Sequence, residues 1–259
     1  MTGKNARLRH ISRNNKYLII PMDHGVTVGP LPGLYDIEKT IMEVSENATA
    51  VLLHKGLIRS MKVLPNIGLI MHLSASTVLS TEANWKVKVG SVEEALRLGV
   101  DSVSIHVNLG NAREPFMLEK MGAISEQCEL WQMPLISMIY PRGENIKDPF
   151  DANVLSHAVR VGAELGSDVI KMNYTGDPKT FQRVVESSPV PVIIAGGPQT
   201  NNEKEFFEMI QGALEAGAAG VAIGRNVFSS ENPRGMVKAI SMLIYEKVTI
   251  NEALDFIKN

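Results

Sequence analysis

The stretch Asp168-Val169-Ile170-Lys171-Met172-Asn173-Tyr174-Thr175-Gly176-Asp177 decides how the rest of the chain is read. It begins as a short apolar run, the pattern of a strand buried on both faces. A single lysine stands at its far end, a polar turn containing glycine follows, and Pro178 opens a helix. Lys171 allows two readings. It snorkels out to water at a strand end. Alternatively it is held on an apolar stem, poised to lose its proton and attack a carbonyl carbon. The surrounding chain chooses between them.

Outward from this stretch, similar apolar runs occupy residues 17–22, 50–54, 68–73, 101–106, 134–139, 191–195 and 220–223. Helical spacing fills residues 36–45, 91–98, 112–131, 151–165, 178–186, 203–216 and 233–246. Residues 86–89 alternate polar and apolar and read as a short accessory strand. Gly99, Gly166 and Gly217 fall where a helix stops before the next strand and a left-handed residue is wanted. Eight buried strands alternating with helices predict a (β/α)8 TIM barrel. A doubly wound sheet would need edge strands, and no run is polar enough to be one. We expect one domain over residues 1–259, with residues 1–16 as a basic, solvated arm or short helix.

Composition narrows the function. The 259 residues are 44% hydrophobic with a net charge of -2, which offers no basic footprint for nucleic acid. Cys128 is the one cysteine, so no internal disulfide or cysteine-rich zinc cluster can form. No apolar run is long enough to be a signal region or to cross a membrane, and a cytoplasmic protein is the expectation.

In such a barrel the active site lies at the carboxyl ends of the strands. Those ends carry Asp23 and His24, His54 and Lys55, His72 and Ser74, His106, Tyr140 and Arg142, Lys171, Gly196 and Gly197, and Gly224 and Arg225. Glycine loops after the last two strands, with Arg225, suit a phosphate group, which backbone N–H donors approach closely where no Cβ intervenes. Lys171, Tyr140 and Asp23 supply an amine, a phenol and a carboxylate, the set an imine-forming aldolase needs. The histidines of four strands could in principle bind zinc, but a metal would make the lysine redundant. Our reading therefore has no metal and no cofactor.

Seven motifs carry a resemblance: Pro21-Met-Asp-His-Gly25, Leu53-His-Lys-Gly56, Ser104-Ile-His-Val-Asn108, Tyr140-Pro-Arg-Gly143, Lys171 with Tyr174-Thr-Gly-Asp177, Ala195-Gly-Gly-Pro198 and Gly224-Arg-Asn226. In this order they resemble the archaeal-type class I aldolases of the DhnA group. The resemblance implies an imine on Lys171, acid and base roles for Asp23 and Tyr140, and phosphate near Gly197, Gly224 and Arg225. His24, Lys55, His106, Arg142 and Gly196 are the further substrate-binding candidates. Met138, two residues before Tyr140, and His157 are similar to the 2-amino-3,7-dideoxy-D-threo-hept-6-ulosonate synthase branch. That branch joins aspartate 4-semialdehyde to a fragment of a ketone phosphate, such as dihydroxyacetone phosphate or 6-deoxy-5-ketofructose 1-phosphate. Met172-Asn173 and Val63-Leu64-Pro65 depart from its pattern and leave the substrates open. Fructose-bisphosphate cleavage, acyl transfer to a thiol, and a binding barrel without catalysis are the alternatives. The resemblance also implies a homo-oligomer, up to a decamer, and Leu243, Ile244, Ile250, Leu254 and Phe256 are expected to supply apolar contacts.

Overall fold

The computed structural model describes residues 3–200 and 202–258; residues 1, 2, 201 and 259 of the expected domain lie outside the described residues. In chain order the strands are β1 (Tyr17–Pro21), β2 (Ala50–Leu53), β3 (Gly68–His72), β4 (Ser74–Ala75), β5 (Val87–Lys88), β6 (Ser102–Leu109), β7 (Leu135–Pro141), β8 (Val169–Met172), β9 (Val192–Ala195) and β10 (Gly220–Ala222). Eight of them close a parallel barrel in the order β1-β10-β9-β8-β7-β6-β3-β2, and β1 pairs with β2 to complete it. The predicted (β/α)8 barrel is therefore the observed one. The accessory strand is also present, as β5 paired antiparallel with β4 outside the ring.

Strand residues alternate between two apolar environments, which explains why the runs lack polar gaps. Leu18, Ile20, Val51, Leu53 and Met71 face outward into the helix layer. Tyr17, Ile19, Leu52, Ile70, Ile136, Val169 and Ile193 fill the interior. Helix starts are set by side-chain caps: Asp151 accepts from the Asn153 and Val154 amides, Asp177 from Thr180, and Asn232 from Gly235. Gly99, Gly166 and Gly217 take φ of 70°, 91° and 96°, the left-handed stops expected of them.

The N-terminal segment does more than present a solvated face. Its helix Gly3–His10 leads into Ile11, which is fully buried beside Gly68, at the start of β3. Lys4 lies 3.3 Å from Asp168 and 2.7 Å from Glu129, while His10 lies 2.8 Å from Asp101. Because Asp168 and Asp101 precede β8 and β6, the segment plugs the amino end of the barrel and leaves the carboxyl end open.

The C-terminal region departs from expectation. The helix read over 233–246 is α-helical over Pro233–Ser241 and then a π-turn over Met242–Glu246, ended by Lys247 at φ 54°. A further helix, Ile250–Lys258, folds back over the barrel's outer layer. Leu243 and Ile244 are consequently buried, and Ile250 and Leu254 pack on the chain's own core. Of the five residues expected to form oligomer contacts, Phe256 alone is exposed. Three short helices, His24–Val28, Lys55–Ser60 and Arg225–Phe228, begin at strand ends that the sequence suggested were loops. Each is too short for a 3.6-residue period to register.

Candidate active site

Strand pairing places the lysine. Met138 on β7 lies opposite Lys171 on β8, and Tyr140, two residues on, points to the same interior face. Lys171 is 8% exposed and Tyr140 6% exposed, at the open end of a closed apolar ring. Among the described residues no hydrogen-bond or ion-pair partner holds the Lys171 amine. A buried amine with no fixed partner is free to be a nucleophile.

The Tyr140 ring is gripped from two sides. The Arg142 guanidinium sits 4.5 Å from its centroid, and the His106 ring meets it edge-on at 5.0 Å. His106 Nε2 lies 2.8 Å from Asn108 Oδ1, and the Asn108 amide nitrogen donates to Asn84 O at 2.7 Å. With the amide oriented by Asn84, the network assigns the His106 proton to Nε2. Burial, then the charges of Lys86 and Arg142, push the His106 pKa well below its ordinary value.

Asp23 faces this group from the end of β1. Its carboxylate lies 3.9 Å from His72 Nε2 and 3.7 Å from His24 Nδ1. Burial works against the charged form, but the charges of His72, His24 and Lys171 outweigh it and hold the pKa below the ordinary carboxylate value. His72 is itself pushed down to about 3 by burial and is uncharged near neutrality. His72 instead works through hydrogen bonds, with Ser104 Oγ at 2.7 Å from Nδ1 and Ser74 Oγ at 3.3 Å from Nε2.

The depressed His72 value has a consequence for stability. Unfolded, His72 takes up its proton below about pH 6.5; folded, it does so only near 3. The unfolded state therefore binds more protons between these limits, and stability falls as pH drops from 6.5 toward 3. Asp23, with its lowered pKa, adds a loss in the same direction below its unfolded value of 3.8. We expect a His72→Asn variant to show a smaller drop in Tm between pH 7 and pH 4.5 than the parent chain. An equal drop in calorimetric scans would show that this histidine does not dominate acid lability.

On the far side of Lys171, the loops after β9 and β10 form one unit. Asn226 donates to Gly196 O and Pro198 O, both at 3.0 Å, and accepts from the Thr200 amide at 2.9 Å. Arg225 Nη2 donates to Gly197 O at 3.0 Å, yet among the described residues its buried Nε has no partner. A buried donor without an acceptor is unfavourable, and an anion at this place would satisfy it. Gly197 has φ 68° with open space where a Cβ would be, so a ligand can reach the backbone. Gly224 is needed for another reason: a Cβ there would stand 2.5 Å from Pro21 O and 2.7 Å from His24 Cε1. Gly224→Ala is expected to lower stability by about 2–3 kcal/mol. Thermal melts should show Tm lower by roughly 5–10 °C.

Not every expected residue joins the cluster. The Lys55 ammonium lies 3.2 Å from Glu94, which also binds Arg59, so its charge is already balanced. His54 packs edge-on against His72, while His24 stays beside Asp23 with its ring edge-on to Phe228. Among the described residues no three His, Cys, Asp or Glu side chains are grouped so that they could hold a metal ion. Tyr174, quoted with the lysine motif, is structural: it meets Phe181 edge-on at 5.1 Å and its phenol fills the space above Gly212. Asn226 and Asn108 close two of the motifs quoted from sequence but were given no role there, and Lys86 was read only as part of an accessory strand. The glycine-rich motif containing Asn226 was a usable signal for the first. The motif ending at Asn108 was a signal for the second, whereas Lys86 acts through contacts across the barrel mouth that no local pattern announces.

Comparison with known proteins matches this geometry. A family profile described as DeoC/LacD family aldolase covers residues 17–230. A 2-amino-3,7-dideoxy-D-threo-hept-6-ulosonate synthase of Halobacterium salinarum is 43% identical over 97% of this chain and 95% of its own. A 2-amino-4,5-dihydroxy-6-oxo-7-(phosphonooxy)heptanoate synthase of Streptomyces griseus is 39% identical over 95% of this chain and 92% of its own. Among solved structures, a Schiff-base-forming fructose-1,6-bisphosphate aldolase superposes with a TM-score of 0.89. It is 31% identical and covers 94% of this chain and 100% of that one. A barrel with an unpartnered buried lysine at a strand end, matched over nearly its whole length by such relatives, belongs to the DeoC/LacD family of aldolases and is of the class I, Schiff-base-forming kind.

Proposed function

We propose that this chain joins L-aspartate 4-semialdehyde to a fragment of a ketone phosphate, by an imine on Lys171, to give an amino-keto heptanoate. The observation that carries the reading is the Lys171 amine, buried at the mouth between Tyr140 and the Arg225 loop with no partner of its own. The neutral amine adds to the ketone carbon, and Tyr140 moves protons as the carbinolamine loses water. The resulting iminium is an electron sink. Asp23 takes the hydroxyl proton when the neighbouring carbon–carbon bond breaks, or Tyr140 and Asp23 remove the proton of the neighbouring carbon. The enamine carbon then bonds to the aldehyde carbon, whose oxygen gains a proton, and water releases the product and free lysine. Arg225 with the loops of Gly196, Gly197 and Gly224 holds the donor phosphate, where the unsatisfied Nε finds an acceptor.

Substrate names come from relatives: two are heptanoate or heptulosonate synthases, while the structural neighbour cleaves fructose 1,6-bisphosphate. The same lysine chemistry serves both, so the acceptor separates them. We also propose a cytoplasmic homo-oligomer; no described helix is long and apolar enough to cross a membrane. The test is borohydride reduction with dihydroxyacetone phosphate, 6-deoxy-5-ketofructose 1-phosphate or fructose 1,6-bisphosphate, followed by peptide mass mapping. Adduct on Lys171, with turnover that requires aspartate semialdehyde, is the expected result. Modification of another lysine would overturn the assignment.

A further inference from the structure

Lys86 has no part in the chemistry above, yet it is 7% exposed and its ammonium bonds Ser76, just past the end of β4. It belongs to the hairpin of β4 and β5, which leaves the end of β3 and crosses toward the loop after β1, where the Val78 amide donates to Thr27 O at 2.9 Å. The hairpin is fixed, not loose. Asn108 holds Asn84 O at 2.7 Å, Ser76 Oγ donates to Ala83 O at 2.6 Å, and the Lys120 ammonium donates to Lys86 O. Arg113 stacks 4.8 Å over Trp85 and bonds Glu82 at 2.6 Å. One Lys86 N–H goes to Ser76 Oγ at 2.5 Å, and no carboxylate among the described residues forms an ion pair with Lys86 or with Arg142. Two ammonium donors thus remain. Lys120, which holds Lys86 O, also donates to His106 O at 3.4 Å, and the His106 ring meets the Tyr140 ring that Arg142 covers, so Lys86 and Arg142 belong to the same side of the mouth, with Asp23 across it. Like charges gathered in a partly dry place, with no carboxylate in ion-pair contact among the described residues, are unfavourable until an anion arrives.

The ring order says which anion. Lys171 on β8 has the Arg225 loops of β9 and β10 to one side, and β7, β6 and the hairpin to the other. A donor whose phosphate lies at Arg225 presents its reacting carbon at Lys171, so the acceptor enters from the Lys86 side. We propose that Lys86, together with Arg142, binds an anionic group, carboxylate or phosphate, on the aldehyde acceptor and so selects charged over neutral acceptors. Lys120 acts as a positioning residue by holding the Lys86 backbone. This rests on the aldol reading given above.

The test compares paired acceptors with dihydroxyacetone phosphate as donor: succinic semialdehyde against butanal, and D-glyceraldehyde 3-phosphate against D-glyceraldehyde. Lys86→Gln keeps a hydrogen bond to Ser76 but no charge. It should reduce the charged-to-neutral ratio of kcat/KM by roughly 10- to 100-fold, and Lys86→Arg should restore most of it. Collapse confined to the first pair identifies a carboxylate, and to the second a phosphate; an unchanged ratio in both pairs overturns the clamp. Ser76→Ala, which frees the ammonium without removing it, should give a smaller fall and serves if Lys86→Gln does not fold. If the parent enzyme forms no borohydride adduct and turns over nothing, the aldol reading fails on its own. Calorimetric titration with succinate then decides the clamp: weaker binding in Lys86→Gln supports it, and equal binding overturns it.

Discussion

Lys171→Met should lower kcat roughly 10⁴-fold or more, as removal of a covalent nucleophile does elsewhere, and abolish the borohydride adduct. Methionine keeps the length and the apolar stem in a position that is 8% exposed and surrounded by Met138, Ile193 and the other interior residues. The amine makes no hydrogen bond or ion pair among the described residues, so the substitution breaks no native contact of that kind. Stability should accordingly stay level or rise slightly, since an apolar terminus replaces a polar one in an apolar ring. The circular dichroism melt is therefore the control that separates lost chemistry from lost fold. Residual activity within a few-fold of the parent would remove the imine from the mechanism. Lys55, the other lysine at a strand end, is already balanced by Glu94, and it cannot substitute without breaking that pair.

Tyr140→Phe tests the second half of the mechanism and should reduce kcat by roughly 10²- to 10³-fold, the range of a lost general acid–base group. The ring is what Arg142 and His106 grip, at 4.5 and 5.0 Å, so phenylalanine keeps both contacts and the local shape. Only the hydroxyl is deleted. If the phenol moves protons during carbinolamine dehydration, trapping of the iminium by borohydride slows while affinity for the ketone phosphate stays the same. A rise in KM with kcat unchanged would instead mark Tyr140 as a binding residue. The double variant with Asp23→Asn should fall less than the product of the single effects if both groups act on one proton path.

How much of this site could be read from residues alone varies with the range of the interaction. Lys171 was visible because a lysine closing the Val-Ile run is a local anomaly, and β8 carries it as the pattern indicated. The phosphate loops were visible because Gly196, Gly197 and Gly224 are local punctuation. Gly224, however, is required by the approach of Pro21 and His24 from β1 and the loop after it, which only the closed ring creates. Lys86 stood in a stretch whose alternation said strand and nothing about direction. Its importance comes from Ser76 on the same hairpin and from Arg142 just past the end of β7, a neighbour supplied by barrel closure. Leu243 and Ile244 show the opposite case: they are apolar and were read as surface contacts, but the helix Ile250–Lys258 and the outer layer bury them in the chain's own core.

By itself the sequence determined the alternation of strands and helices, the helix stops at Gly99, Gly166 and Gly217, and the residues brought to one rim. These follow from period and backbone conformation, which are properties of neighbouring residues. Only the tertiary structure decided which of the rim residues remain unpaired. Lys55 found Glu94, while among the described residues Lys171 and Lys86 found no carboxylate in ion-pair range. Charge compensation acts through space between distant strands, and no spacing along the chain encodes it.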